Sequence, residues 1–248
     1  MDFNFKEKTA VITGASNGIG RRIAQEFKKN GANIVVIDKM DNDLECDLFY
    51  KGDISEEDVL KSFSNQVLRK FGKIDYLINN ACLSKKGLWS DCNYDDFNYV
   101  LKVGITAPYI LTRLFMEHFN PDAAIVNIAS TRTKMSQPDT ESYSAAKGGI
   151  SSLTHAMAIS LAGKVRVNSV SPGWVNLSVN NQQFSQADYV QHPVKRIGST
   201  LDIANLVLFL CSQGSIFING ENITVDGGMS RLMIYHNDFG WKYNGCFD

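Results

Sequence analysis

The sequence has little of what marks several specialised protein classes. Its five cysteines, at positions 46, 82, 92, 211 and 246, are scattered, and no C-x-x-C pair or close His/Cys cluster occurs. Neither a disulfide framework nor a metal site is expected. Charge of one sign is not in excess, with 25 basic and 26 acidic residues. No basic stripe points to nucleic acid, and no charge block to a disordered tail. Long hydrophobic runs are missing too, so no membrane span or signal peptide is expected. The five prolines and nineteen glycines gather into no linker, and no internal repeat divides the chain. The expected setting is soluble, reducing and cytoplasmic. The 248 residues, 44% of them hydrophobic, suffice for one sizeable core.

What is present is an alternation of short apolar runs with amphipathic stretches. Strands are expected at 9–14, 33–38, 48–53, 74–81, 123–130, 164–173 and 221–228. Helices are expected after residue 18, at 55–72 with Ser55 as N-cap, at 94–118, 143–162 and 201–212. The link "KMDNDLECD" is too short for a full crossover helix and predicts an abbreviated turn or a short helix. Continuous apolar strands separated by helices predict an α/β fold: a single-domain, Rossmann-like, doubly wound parallel sheet with helices on both faces.

The first expected strand runs into "TGASNGIG" at 13–20. Gly14, Gly18 and Gly20 fall at the strand-to-helix turn, where glycine permits a tight bend and close ligand approach. The following helix would aim its free N–H groups at the same spot, which suits a pyrophosphate. A triphosphate P-loop is excluded, because the Lys and hydroxyl pair is missing. "GASNG" also spells a nucleophile elbow around Ser16, but it follows the first strand and no histidine is an obvious base. Asp38 ends the second strand, 18 residues after Gly20. An acid there can bond adenosine ribose hydroxyls and repel a 2′-phosphate. The expected cofactor is therefore NAD rather than NADP, with Lys39 able to soften the preference by swinging toward a phosphate.

A third stretch, "SYSAAKGG" at 142–149, puts Tyr143 four residues and Ser144 three residues before Lys147. The first pair suits proton transfer to a carbonyl, the second an acyl-transfer nucleophile. These eight residues alone do not separate the two.

The wider pattern does. "TGASNGIG", Asp53 in "GDIS", "NNA" at 79–81, Ser130, "YSAAK", "PGWV" at 172–175 and "VDGG" at 225–228 occur in that order. On them the chain resembles a short-chain dehydrogenase/reductase of the smaller single-domain type over about residues 6–228. The resemblance implies an NAD(P)-dependent oxidoreductase acting on CH–OH groups. In it Tyr143 is the general acid/base, Lys147 tunes it and binds the nicotinamide ribose, and Ser130 bonds the substrate oxygen. It places Ser16, Asn17 and Ile19 of the glycine loop along the dinucleotide. It puts Asp53 and Ile54 at the adenine, and Asn80 with Ala81 near the adenosine ribose. Pro172, Gly173 and Val175 become the wall beside the nicotinamide. A phenol ionises near pH 10, and an ammonium at ~4 Å favours the phenolate by about 4 kcal/mol at an effective dielectric of ~20. The acyl-transfer alternative lacks its companion S-D-N and K-T-G elements.

Three positions depart from the family pattern. Gly104 stands where a relay asparagine is usual, and is expected to leave room for a water. Cys82 replaces the glycine of "NNAG", and Leu177 replaces a threonine, with Ser178 as its possible substitute. Arg132 and Lys134, beside Ser130, either recognise a substrate anion or pair with Asp139 and Glu141. The segment 174–193 occupies the place of a flexible lid, in which His192 is expected to be structural. Residues 229–248 carry Tyr235, Phe239, Trp241, Tyr243 and Phe247. That tail is too apolar for a disordered end, and is expected to pack on the domain of residues 1–228 or on a neighbouring subunit. Small residues on the 143–162 helix allow close packing against a neighbour, and the resemblance implies a homodimer or homotetramer built through it. The leading reading is an NAD(H)-dependent enzyme interconverting a small-molecule secondary alcohol and its ketone. An NADPH-dependent ketoacyl-type reductase and a catalytically weakened dinucleotide-binding regulator are the alternatives.

Overall fold

The computed structural model describes residues 3–177 and 184–242. Its strands are β1 (Thr9–Thr13), β2 (Asn33–Asp38), β3 (Leu48–Lys51), β4 (Ile74–Asn79), β5 (Phe119–Ile128), β6 (Arg166–Pro172), β7 (Val175–Asn176), β8 (Gly198–Ser199) and β9 (Asn222–Val225). Its α-helices are α1 (Gly18–Lys29), α2 (Glu57–Phe71), α3 (Tyr94–Leu101), α4 (Ala107–Phe115), α5 (Glu141–Ser160), α6 (Gln186–Val190) and α7 (Thr200–Cys211). Seven strands form one parallel sheet in the order β3-β2-β1-β4-β5-β6-β9, and β7 and β8 form a small separate ladder.

The strands read as unbroken apolar runs because both faces are covered. In β1, Ala10 and Ile12 point to one face, where Ile23 and Phe27 of α1 and Ile203 and Val207 of α7 meet them. Val11 points to the other, into a core with Leu60 and Phe63 of α2, Leu111 and Phe115 of α4, and Met157 of α5. Strand β1 pairs with β2 on one side and β4 on the other, so the winding direction reverses between β1 and β4. That reversal opens a crevice at the carboxyl ends of the strands. Beneath it, the Asn79 amide donates to Asn127 Oδ1 (2.8 Å), and the Asn127 amide to Thr154 Oγ1 (2.9 Å). This buried chain ties β4, β5 and α5 together under the crevice.

Two expectations need correction. The predicted helix at 94–118 is not continuous: α3 passes into a π-turn at Lys102–Thr106 before α4 begins. Pro108 is the cause. It has no N–H to give to the carbonyl four residues back, and its ring would strike that carbonyl in a regular helix. The wider turn, closed by Ala107 N–H to Lys102 O, relieves the clash. Ser55 is also not the N-cap of α2; Glu56 holds that position and makes no side-chain cap. Of the abbreviated turn and the short helix that its length allowed, the link between β2 and β3 takes the form without a helix.

Candidate active site

At the end of β1 the chain turns at Gly14, with φ +68°. A Cβ there would stand 2.8 Å from Ala81 Cα, so the turn after β1 and the turn after β4 touch backbone to backbone. Asn80 locks them: its amide donates to Thr13 O (3.0 Å) and Gly14 O (2.8 Å). Thr13 Oγ1 accepts in return from the N–H groups of Asn80 and Ala81. Gly20, in the first turn of α1, packs so closely on this lock that a Cβ would collide with the Asn80 amide and Gly14 O. Helix α1 starts without a side-chain cap and without an acid in its first turn. Gly18 (φ +58°) faces open space, its nearest neighbour on that side being Leu177 at 3.8 Å. Free amides, a positive helix end and an unobstructed approach are what a pyrophosphate requires.

Asp38 closes this end. Its Oδ2 accepts from Ser16 N–H (2.9 Å) and its Oδ1 from Met40 N–H (3.0 Å), which fixes the carboxylate beside the glycine turn. After β3, Asp53 Oδ1 accepts from Ser55 N–H (2.9 Å) and Oδ2 from the Tyr99 hydroxyl (2.6 Å). Burial raises the Asp53 carboxyl, but those hydrogen bonds outweigh it and hold the group below its ordinary value.

At the other end, Ser130 follows β5 in extended conformation, and its Oγ accepts from Arg132 N–H (3.2 Å). With a lone pair engaged by that amide, the hydroxyl proton is available to a substrate oxygen. Tyr143 and Lys147 lie one turn apart on α5, hence on one face. Lys147 is 4% exposed; its Nζ donates to Ile128 O (2.6 Å) and stands 5.5 Å from the Tyr143 ring centroid. One of its three ammonium donors is thereby anchored in the sheet, and the cavity wall is the place for the others.

A cavity of about 440 Å³ joins the two ends. Gly14, Asn17, Gly18, Ile19, Asp38, Asp53, Ile54, Asn80 and Ala81 line one half, and Ser130, Tyr143, Lys147, Pro172, Gly173 and Val175 the other. Of the residues expected from sequence, Ser16 and Gly20 stand behind this lining: Ser16 orients Asp38 and Gly20 permits the packing of the turn. Asn80 reaches the cavity, but its amide serves the glycine turn. The residues present fit a dinucleotide.

The family departures have physical partners. Gly104 lies in the π-turn, and a Cβ on it would come within 2.8 Å of Ala146 Cβ and 3.3 Å of Cys82 Sγ. The expected room for a water beside its Cα is thus filled by Ala146 and Cys82. Cys82 and Leu177 line the cavity; Ser178 lies outside the described residues. Arg132 donates to Gln137 and does not line the cavity, and neither does Lys134. Asp139 instead binds Ser90 Oγ and the N–H groups of Gly87 and Trp89. His192 is 1% exposed and gives its Nδ1–H to Asp188 O (3.0 Å), a structural arrangement that places the ring 6.0 Å from that of Trp174. Trp174, inside the expected Pro172–Val175 wall, lines the cavity; Tyr99 does too, and the sequence reading does not single it out. A signal for Tyr99 existed in its helical spacing to Val103, which lines the cavity too.

In the tail, 3₁₀ turns form at Met229–Arg231 and Asp238–Gly240, while Met233, Tyr235 and Trp241 are exposed. The Phe239 side chain, Tyr243 and Phe247 lie outside the described residues. Among the described residues no helix could cross a membrane, and no His/Cys/Asp/Glu group could hold a metal.

Comparison with known proteins gives consistent matches. A family described as enoyl-(acyl carrier protein) reductase matches residues 14–230. An uncharacterized oxidoreductase of Thermotoga maritima is 37% identical, over 92% of this chain and 98% of its own. The solved structure of an apo SCOR enzyme from Clostridium thermocellum superposes with a TM-score of 0.89 at 42% identity, covering 96% of this chain and 98% of that one. A short-chain dehydrogenase/reductase from Brucella melitensis, described as a glucose/ribitol dehydrogenase, gives 0.84 at 30% identity, covering 92% and 99%.

Proposed function

Because the chain belongs to the short-chain dehydrogenase/reductase family of NAD(P)-dependent oxidoreductases, we propose that it binds NAD(H) in preference to NADP(H) and interconverts a secondary alcohol and a ketone. The observation that carries this reading is one cavity with a fixed carboxylate, Asp38, at one end and Ser130, Tyr143 and Lys147 at the other. When bound, the nicotinamide supplies hydride-transfer chemistry. The chain does the rest. The α1 amides and the Gly14–Gly18 turn hold the pyrophosphate, and Asp38 accepts from the adenosine ribose hydroxyls. Asp53 and Ile54 border the adenine, and Pro172 to Val175 wall the nicotinamide half. Ser130 donates to the substrate oxygen and fixes its position. Tyr143 takes the alcohol proton in oxidation and returns it in reduction, a role of roughly 10²–10⁴ in rate. Lys147 favours the phenolate by its charge and holds the nicotinamide ribose with the donors that Ile128 leaves.

An NADPH-dependent ketoacyl-type reductase is the second reading, favoured by a curated relative from Chlamydia pneumoniae named 3-oxoacyl-(acyl-carrier-protein) reductase, 30% identical over 93% of this chain and 100% of its own. It needs a cation free to meet a 2′-phosphate beside Asp38. We place the active protein as a homodimer or homotetramer associating through α5, where Ile159 is exposed beside small residues, with the 229–248 tail packing against a neighbouring subunit. Parallel titration with NADH and NADPH, followed by alcohol oxidation assays, tests the main reading. Tighter NADH binding is expected, and Tyr143→Phe should keep that binding while turnover falls at least about 10²-fold. Turnover surviving in Tyr143→Phe would overturn the proton-transfer role, and tighter NADPH binding the Asp38 argument.

A further inference from the structure

Three cations lie near Asp38 in the fold, and of them Lys39 lines the cavity. Arg21 is held by Asp43 (2.5 Å), and Lys51, the register partner of Asp38 across β2 and β3, by Asp41 (2.6 Å). Lys39, next in sequence to Asp38, is held differently. Its Nζ donates to the Tyr99 hydroxyl (3.1 Å) and lies 5.4 Å from the Tyr99 ring centroid. Tyr99 in turn donates its single proton to Asp53 (2.6 Å). A phenol with its proton committed to a carboxylate can only accept, and the strongest donor available is an ammonium. The order Lys39→Tyr99→Asp53 is therefore fixed, and it bridges three elements: the turn after β2, helix α3 and the turn after β3. All three side chains line the same cavity.

Resting on the reading that Asp38 faces the adenosine ribose, we infer that Tyr99 sets dinucleotide selectivity by holding Lys39 away from the ribose edge, where its ammonium would otherwise meet a 2′-phosphate. Asp38 cannot withdraw, because both its oxygens are bound by backbone amides. A 2′-phosphate arriving there meets a fixed negative charge, and needs a cation from elsewhere. Arg21 and Lys51 are engaged with their own acids. Lys39 has a flexible four-carbon stem starting one residue away, and the Tyr99 hydroxyl and ring, with the charge of Asp53 beyond them, restrain it. The Lys39 ammonium is held above its ordinary value first by the Tyr99 hydrogen bond, then by the charges of Asp53 and Asp38. Glu56, Asp95 and Asp96 border the adjoining depression that Lys39 also lines.

The test is direct binding, read by protein fluorescence and thermal shift, of NADH and NADPH to wild type, Tyr99→Phe, Lys39→Met and the double variant. Wild type is expected to prefer NADH. Tyr99→Phe should bind NADPH about tenfold more tightly, the scale of one charge-assisted contact, with NADH affinity changed by less than about twofold. The gain should vanish in the double variant. Lys39→Met alone should leave NADPH affinity at the wild-type value, which tests the tether without depending on the Tyr99 variant folding. No gain in Tyr99→Phe, a gain that survives in the double variant, or weaker NADPH binding in Lys39→Met would each overturn the inference. A wild type that prefers NADPH would instead overturn the Asp38 reading on which it rests.

Discussion

The glycine turn and the segment 184–202 hold their shape by different means. Around the glycine turn, backbone meets backbone: Gly14 on Ala81, Gly20 on Gly14, with Asn80 bonded to both strand ends. Around the segment 184–202 the supports are side chains at the surface. Helix α6 starts with a capping box of Ser185 and Asp188, and α7 with one of Ser199 and Asp202. Arg196 clasps Asp202 with two nitrogens, both at 2.7 Å. At Gly14 and Gly20 the first region has no space for an added atom, and the second yields by degrees. On the proposed function, a fixed phosphate site beside an adjustable wall would let one cofactor serve whatever substrate the wall admits.

The largest effect should come from adding one carbon to the tight region. Gly20→Ala should cost about 2–3 kcal/mol, since the colliding atoms are a buried amide and a backbone oxygen. A fall in Tm of about 5–10 °C together with loss of NADH binding is the expected reading. An unchanged Tm would show that the turn can widen and that the contrast between the regions is false.

A middle-sized effect should follow from Asp202→Ala, which removes a cap and a two-pronged ion pair, about 1–2 kcal/mol at neutral pH. The Arg196 hydrogen bond is the first of the causes holding the Asp202 carboxyl far below the ordinary carboxylate range. A depressed carboxyl adds stability above its unfolded value, near pH 4, and loses it as pH falls further. The Tm gap between wild type and variant should therefore be constant above about pH 5 and shrink below about pH 4. A gap independent of pH down to pH 2 would remove the ion pair from the account.

The smallest effect on stability is expected from removing residues 232–248, since Met233, Tyr235 and Trp241 are exposed and contribute little to their own chain's core. Tm should move by less than about 2 °C by this argument. Assembly or KM should change, because the tail is proposed to meet a neighbouring subunit. Assembly and kinetics left untouched would sink that role.

How much could be read from the sequence follows the same divide. Strand positions, the short link after Asp38, the glycine turn and the pairing of Tyr143 with Lys147 were legible, because each depends on neighbours within a few residues. The break at Lys102–Thr106 was legible in principle through Pro108, but the apolar run across it masks the effect. The filling of the space beside Gly104 was not legible. It depends on Ala146 and Cys82, which come from two other elements. The same holds for the structural role of Asn80, for the hydrogen-bonded bridge of Tyr99, and for Arg132 turning to Gln137 rather than to the cavity.

The strand order has a consequence for how the chain is made. Its first strand to leave the ribosome, β1, belongs in the middle of the sheet, and its last, β9, pairs with β6 and ends the row. Until residue 225 has emerged, β6 is an open edge with unpaired peptide groups. The half built from β1 to β3 can form early, but it stays uncovered on its β4 side until residue 79 is available. Parallel pairings over such distances are slow to close. A nascent chain of this protein therefore passes much of its synthesis with a growing sheet exposed at one margin, which leaves its strand edges open to non-native pairing.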